Sequence, residues 1–217
     1  MSETPRSALI AAAQAMAAAR LSPGTSGNLS LRTQAGILIT PSAIAYDTLT
    51  PDMIPLLKLH GPYGAYEGAY RPSSEWRFHL DIYRARPDVG AIVHHHAPYA
   101  TALAMARRAI PPCHYMVVRF GGPDVRCCPY ATFGTAELST HVLAALDGRT
   151  ACLMANHGGI ATGPNIAAAL AAATELEALA QHYALSLAAG GPVLLSDADI
   201  EAARRQFAEA YGPNTPR

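Results

Sequence analysis

Charge is scarce in this chain. Of 217 residues only 15% are Asp, Glu, Lys or Arg, and the 16 acidic and 16 basic side chains cancel. No excess of either sign is left to grip a nucleic-acid backbone or an anionic bilayer, so neither is expected as a partner. No apolar run approaches the ~20 residues of a membrane-spanning helix. The four cysteines, Cys113, Cys127, Cys128 and Cys152, lack the spacing of a zinc ribbon. With no secretory signal in view, buried free thiols in a reduced, cytoplasmic setting are expected. No internal repeat is found. The length suits one domain over residues 1–217, and a hydrophobic content of 50% suits a large core.

What the chain does have is concentrated in one stretch, RPSSEWRFHLDIYRARPDVGAIVHHH, residues 71–96. Pro72, Ser73 and Ser74 suit the entry to a helix, with Glu75 at its mouth. Trp76, Leu80 and Tyr83 recur at helical spacing, and Pro87 ends the pattern near Arg86. Residues 90–93 then read as a short buried strand that delivers His94, His95 and His96. Residues two apart on a strand face the same way, so His94 and His96 share a face and His95 takes the other. Two imidazoles on one face make half of a zinc site; three adjacent histidines also occur as a plain polar loop or as satisfied core groups.

Two later observations favour metal. In ACLMANHGGI, residues 151–160, a second apolar strand ends just before His157, which completes a set of three histidines with an open coordination position. In TSGNLSLR, residues 25–32, a loop of small residues leads into a strand and can offer backbone N–H groups to an anion, although a Gly-Asn pair is often only a turn. With Ser73 and Ser74 it suggests a phosphate pocket near the metal.

These segments together resemble the class II aldolase/adducin family. The matching motifs are GTSGNLSLR at 24–32, GILITPS at 36–42, PSSEWRFH at 72–79, RPDVGAIVHHH at 86–96, IPPCHYM at 110–116, PYATFGT at 129–135 and NHG at 156–158. They occur in order and span nearly the whole chain. The resemblance implies a reversible, zinc-dependent aldol cleavage. A ketose 1-phosphate, L-fuculose 1-phosphate or a related 5-deoxy- or 5-methylthio-ribulose 1-phosphate, would give dihydroxyacetone phosphate and an aldehyde. Within the family, a pentulose-5-phosphate 4-epimerase and a methylthioribulose-1-phosphate dehydratase are the alternative chemistries. The epimerase branch usually carries Asp where this chain has Glu75. A non-catalytic adducin-like binding module is the alternative of another class, and His94, His96 and His157 argue against it.

Carried over residue by residue, the resemblance implies that His94, His96 and His157 hold one zinc (or another divalent ion) per chain. Glu75 ligates the metal at rest and then moves a proton. Gly27, Asn28, Ser42, Ala43, Ser73 and Ser74 bind the substrate phosphate, with Ala43 standing where the nearest relatives carry Gly. Tyr115 reaches into a neighbouring subunit's site to protonate the departing alkoxide, and Phe133 and Tyr211 wall the aldehyde end. The implied assembly is a homotetramer with sites between subunits. A rival arrangement pairs Glu75 with His79, four apart on one helical face; the family motif has a non-ligand histidine there, so His79 is expected in a supporting or core role. Arg32 is expected to be a solvent-facing strand residue.

Elsewhere, helices are expected near 7–20, 99–108, 135–146 and 165–188, with a last one beginning near 196. Strands are expected at 28–32, 36–40, 53–59, 114–119, 125–128 and 151–154, with 61–70 a loop or irregular hairpin. Short turns near 34 and 122 imply antiparallel pairs, hence an α/β sandwich with a mixed sheet. The resemblance sharpens this to a three-layer αβα sandwich around a central, largely antiparallel sheet.

Overall fold

The computed structural model describes residues 4–210. Among these, eight strands form one sheet: β1 (Asn28–Thr33), β2 (Gly36–Ile39), β3 (Leu56–Leu57), β4 (Tyr66–Glu67), β5 (Ala91–His95), β6 (Cys127–Cys128), β7 (Ala151–Met154) and β8 (Gly158–Gly163). Their spatial order is β4-β3-β2-β1-β5-β8-β7-β6. Every neighbouring pair is antiparallel except β6 with β7. The expected largely antiparallel mixed sheet is therefore present.

Alternation along the strands sorts side chains between two cores. Leu29, Val93, Leu153 and Ala161 pack with α1 (Pro5–Ala18), α3 (Pro98–Met105) and α5 (Ile166–Ala188) on one face. Ile37, Ile92, Met154 and Ile160 pack with α2 (Trp76–Ala85) and α4 (Ala136–Ala145) on the other. Each apolar side chain so buried contributes about 1.5–3 kcal/mol of transfer free energy. A sixth helix, α6 (Asp197–Ala210), carries Phe207 towards Tyr115, with ring centroids 6.1 Å apart.

Local chemistry accounts for the element ends. Asn165 caps α5 by accepting from the Ala168 N–H, and Thr135 caps α4 by accepting from Leu138. The α3 N-terminus has no cap of its own. Glu177 of α5 accepts from the Tyr99 and Ala100 N–H groups at 2.9 and 2.8 Å, pinning the two helices together.

Several expectations need correction. Residues 114–119 are not a strand: Tyr115–Phe120 is a 3-10 helix. His114 Nδ1 accepts from the Met116 N–H, and Gly121, at φ 91°, closes the last turn. A short apolar run cannot by itself distinguish a buried strand from a buried turn. Val125 makes only an isolated bridge to Ile110, so β6 is shorter than expected. Only Leu56–Leu57 of 53–59 is strand, because Pro51–Met53 is a 3-10 turn and Pro55 lacks a donor. The helix at α3 ends at Met105, not 108, since Arg107 turns to φ 53°. β8 was not anticipated at all.

Arg32 is not a solvent-facing residue. Its Nε donates to Val89 O at 2.8 Å, and its Nη2 donates to Tyr83 O at 2.7 Å and Arg86 O at 3.0 Å. The guanidinium also lies 4.8 Å from the Tyr83 ring centroid. It fastens the C-terminal end of α2 to the sheet, where the unpaired carbonyls of a helix end need donors.

Candidate metal centre and substrate cavity

The paired strands β5 and β8 bring the histidines together. On β5, Ile92 belongs to the α2 face, so His94 does too, and its ring meets Phe78 edge-on at 5.5 Å. His95 takes the opposite face, fully buried, where its Nδ1 accepts from the Ala97 N–H. His157 arrives from the turn between β7 and β8. The ligand nitrogens of His94, His96 and His157 all lie within 4.8 Å of one another. The ring centroids are 4.8–5.0 Å apart and steeply inclined, so the nitrogens converge instead of stacking.

Glu75 closes the group. Its Oε2 lies 3.1 Å from His94 Nε2, and its Oε1 lies 3.1 Å from His157 Nε2. Oε1 is buried and lacks the alignment of a hydrogen bond to any partner. Burial raises the Glu75 carboxyl, but the His94 and His157 imidazoles pull harder the other way and hold it well below the usual carboxylate range. Burial, then His94 and His157, push His96 down to about 4, so it is neutral near pH 7.

The donor set fits a divalent cation. His94 Nδ1 lies 3.0 Å from Gly159 O, which can only accept, so Nδ1 carries the proton. In neutral His94 the inward Nε2 is then a bare lone pair, the tautomer a metal ligand needs. It faces His96 Nε2 at 3.0 Å. Converging imidazole nitrogens beside an orphaned carboxylate oxygen are satisfied together by a cation between them. Three imidazoles beside one carboxylate suit a divalent metal ion.

His96, His157 and Glu75 of this cluster floor a cavity of about 350 Å³. Gly27, Asn28, Ser42, Ala43, Ser73 and Ser74 line one part of it, so every residue expected around the phosphate is brought to it. Thr25 and Ser26 line it as well, and were not singled out from the sequence although they stand in the same loop. Among the described residues, no lysine or arginine does. Ala43 adopts φ 59°, the left-handed backbone that a glycine takes freely. The geometry suited to Gly is therefore kept, at a cost of about 1–2 kcal/mol. Gly27 has no room for a side chain, because a Cβ there would sit 2.4 Å from Ser22 Oγ and 2.7 Å from His94 O. Its carbonyl accepts from the Tyr46 hydroxyl.

Phe133 also lines the cavity and is 61% exposed, so it is a wall and not a core residue. Tyr130 stands beside it on the same cavity. Tyr115 is half exposed, stacked on His114 at 4.7 Å, and is not among the residues lining this chain's cavity. Tyr211 lies outside the described residues. His79 is not brought into the histidine cluster; it is fully buried behind Asn28, with burial foremost in pushing it down to about 3.

One supporting residue was missed. Asn156 adopts φ 55° at the turn that aims His157. Its N–H donates to Ala104 O at 2.9 Å, its Nδ2 to Met105 O at 3.4 Å, and its Oδ1 accepts from Arg107 Nε at 3.0 Å. The signal available in the sequence was Asn before His-Gly, since Asn tolerates the left-handed region.

Residues 7–184 match the family described as Class II Aldolase and Adducin N-terminal domain. The chain belongs to that family. It is 48% identical over 209 residues to a 5-methylthioribulose-1-phosphate/5-deoxyribulose-1-phosphate aldolase of Rhodospirillum rubrum, covering 96% of this chain and 93% of that protein. It is 47% identical over 193 residues to the L-fuculose phosphate aldolase of Escherichia coli, covering 88% of each. A solved structure of an L-fuculose 1-phosphate aldolase superposes with a TM-score of 0.90 at 37% identity, covering 96% of this chain and 98% of its own. The chain is thus a class II aldolase, of a metal-dependent family, and its three clustered histidines are placed so that they could hold a metal ion.

Proposed function

We propose that the protein reversibly cleaves a ketose 1-phosphate between its third and fourth carbons, giving dihydroxyacetone phosphate and a small aldehyde. The substrate is L-fuculose 1-phosphate or a related 5-deoxy- or 5-methylthio-ribulose 1-phosphate, as the names of the similar proteins suggest. The observation that carries the reading is one cavity with two chemically distinct ends. At its floor are the His96 and His157 imidazoles and the Glu75 carboxylate, with the fully buried His94 adjoining them; along its wall are hydroxyl, amide and backbone donors.

His94, His96 and His157, together with Glu75, would hold a zinc ion, which would supply the Lewis acidity that steadies negative charge developing beside the carbonyl. Glu75, the only carboxylate among the described residues on the cavity, takes and returns the proton at its Oε atoms. Asn28, Ser42, Ser73 and Ser74, with backbone N–H groups at Gly27 and Ala43, hold the phosphate by neutral donors. Phe133 and Tyr130 wall the aldehyde end and exclude water. The single lysine, Lys58, is paired with Glu67 at 2.6 Å and does not line the cavity, which leaves no side-chain amine there for a Schiff base.

The site works in a homotetramer in the cytoplasm, with Tyr115 acting across the interface. Its half-exposed phenol, off its own cavity, supports that placement. The deciding experiment incubates zinc-loaded protein with each candidate ketose 1-phosphate and assays dihydroxyacetone phosphate. Its release from at least one is expected. Epimerised or dehydrated sugar without dihydroxyacetone phosphate would reassign the reaction.

A further inference from the structure

Behind Asn28 runs a line of buried polar groups that the chemistry so far leaves unused. Asn28 Nδ2 lies 2.9 Å from Glu75 Oε2, and Asn28 Oδ1 lies 2.5 Å from His79 Nε2. His79 Nδ1 lies 2.6 Å from Ser30 Oγ, which lies 2.9 Å from the Tyr83 hydroxyl. His79 and Ser30 are fully buried, and Tyr83 is nearly so. Two periodicities build the line: Asn28 and Ser30 are two apart on β1, and His79 and Tyr83 are four apart on α2.

Donor and acceptor roles follow from one end. Glu75 as a carboxylate only accepts, so Asn28 turns its amide nitrogen to it. Asn28 Oδ1 then faces His79, which has to donate from Nε2. A neutral imidazole protonated on Nε2 accepts at Nδ1, so Ser30 donates there, and Tyr83 donates to Ser30. With Glu75 ionised and His79 neutral, no other order satisfies all four contacts. Each member is left one role, and none can reverse alone without leaving a buried group unpaired.

We propose that His79, backed by Ser30 and Tyr83, is a positioning residue that fixes the amide of Asn28, so that this one side chain offers N–H groups both to Glu75 and to the substrate's phosphate. Asn28 borders the cavity, and its Nδ2 has a second hydrogen beyond the one given to Glu75. Reversed, the amide would set its oxygen against a carboxylate and a phosphate together. The proposal rests on the reading of Glu75 as proton carrier and Asn28 as phosphate donor. It ties the two ends of the cavity to one group whose orientation is decided from behind.

The test is a double-mutant cycle on zinc-loaded protein, reading inorganic phosphate affinity by calorimetry alongside kcat and KM. His79→Phe keeps a ring to stack on Phe78, whose centroid is 4.6 Å from that of His79, but has no N–H. It should weaken phosphate binding and lower kcat, each about 10-fold or more, the scale of one hydrogen bond to a charged group. His79→Gln, which returns an N–H near the Nε2 position, should restore most of both. On an Asn28→Ala background, His79→Phe should add nothing, because it acts only through Asn28.

The proposal is overturned if His79→Phe leaves phosphate affinity and kcat unchanged, or if its losses add to those of Asn28→Ala. It is equally overturned if His79→Gln is as impaired as His79→Phe, or if Asn28→Ala binds phosphate like the unmodified protein. Should His79→Phe fail to fold with a full metal load, Ser30→Ala runs the same cycle: a loss that vanishes on the Asn28→Ala background supports the proposal and an additive one overturns it. A fully active Glu75→Gln protein would remove the proton-carrier reading by itself, whereas the phosphate cycle needs no turnover.

Discussion

Asn28 and His94 sit directly opposite each other in the antiparallel pairing of β1 with β5. Opposed residues project from the same face of a sheet with Cβ atoms about 5 Å apart. Asn28 of the cavity wall and His94 of the histidine cluster are therefore neighbours by strand register. Leu29 opposite Val93 and Leu31 opposite Ala91, all on the other face, hold that register through burial. A slip of one residue would send His94 to the α5 side and take Asn28 from the cavity.

His157→Ala should release the metal. The protein is expected to carry about one zinc per chain, measured by plasma mass spectrometry, and the variant close to none. Chelation should also lower the melting temperature, because the crowded nitrogens of His94 and His96 and the Glu75 carboxylate are left facing each other. A His157→Ala protein that kept both zinc and turnover would mean the centre lies elsewhere.

Glu75→Gln changes almost no volume and removes the negative charge. Metal content should largely persist, since three imidazoles remain, while kcat falls by roughly 10²–10⁴, the usual contribution of a positioned acid or base. Steady-state kinetics at saturating zinc checks it. Normal turnover would assign proton transfer to another group.

Tyr115→Phe should keep fold and zinc and lose cleavage. A phenol is a far stronger acid than an alcohol, so proton transfer from it to a departing alkoxide is downhill. Mixing distinguishes a shared site from a private one. Tyr115→Phe and Glu75→Gln chains, each nearly inactive, should regain activity on co-assembly, because some interfaces then hold both intact groups. Hybrids verified by native mass spectrometry that stay inactive would confine Tyr115 to its own chain or to no site.

Arg32→Ala should destabilise the protein by about 2–4 kcal/mol, since three carbonyls at the end of α2 and the turn after it lose a charged donor. Arg32→Lys should recover little, because an ammonium cannot reproduce the planar fork. The denaturation midpoint, at fixed protein concentration, is the measurement. A midpoint equal to that of the unmodified protein would show the clamp to be dispensable.

The clustering of His94, His96 and His157 was legible because its signal is local: short apolar runs ending in histidine, with side-chain alternation separating His94 and His96 from His95. Helices α1, α2, α4 and α5 were legible for the same reason, through periodicity and punctuation by Pro, Asn and Gly. β8 was not. Its sequence, GGIATG, is poor in strand-forming residues, and the sheet accepts it because neighbours press in where side chains are missing. A Cβ on Gly163 would meet Ala169 N at 2.6 Å, so the close seat of α5 on β8 depends on that absence. His79 was legible as a supporting or core residue, but its partners, like those of Arg32, were hidden for another reason. These lie about 50 residues away in the chain, and nothing in either neighbourhood announces them.

The two glycines after His157 have a consequence for anyone who would transplant this centre. A Cβ on Gly158 would fall 2.4 Å from His95 O and 2.9 Å from His96 Cδ2, and one on Gly159 would fall 2.9 Å from the His95 ring. The histidine triplet and the His-Gly-Gly turn are thus cast against each other like a key and its mould. Grafting the triplet onto a foreign sheet beside an ordinary strand would collide at both positions. The portable unit is β5 and β8 together, and any library that varies one has to vary the other in step.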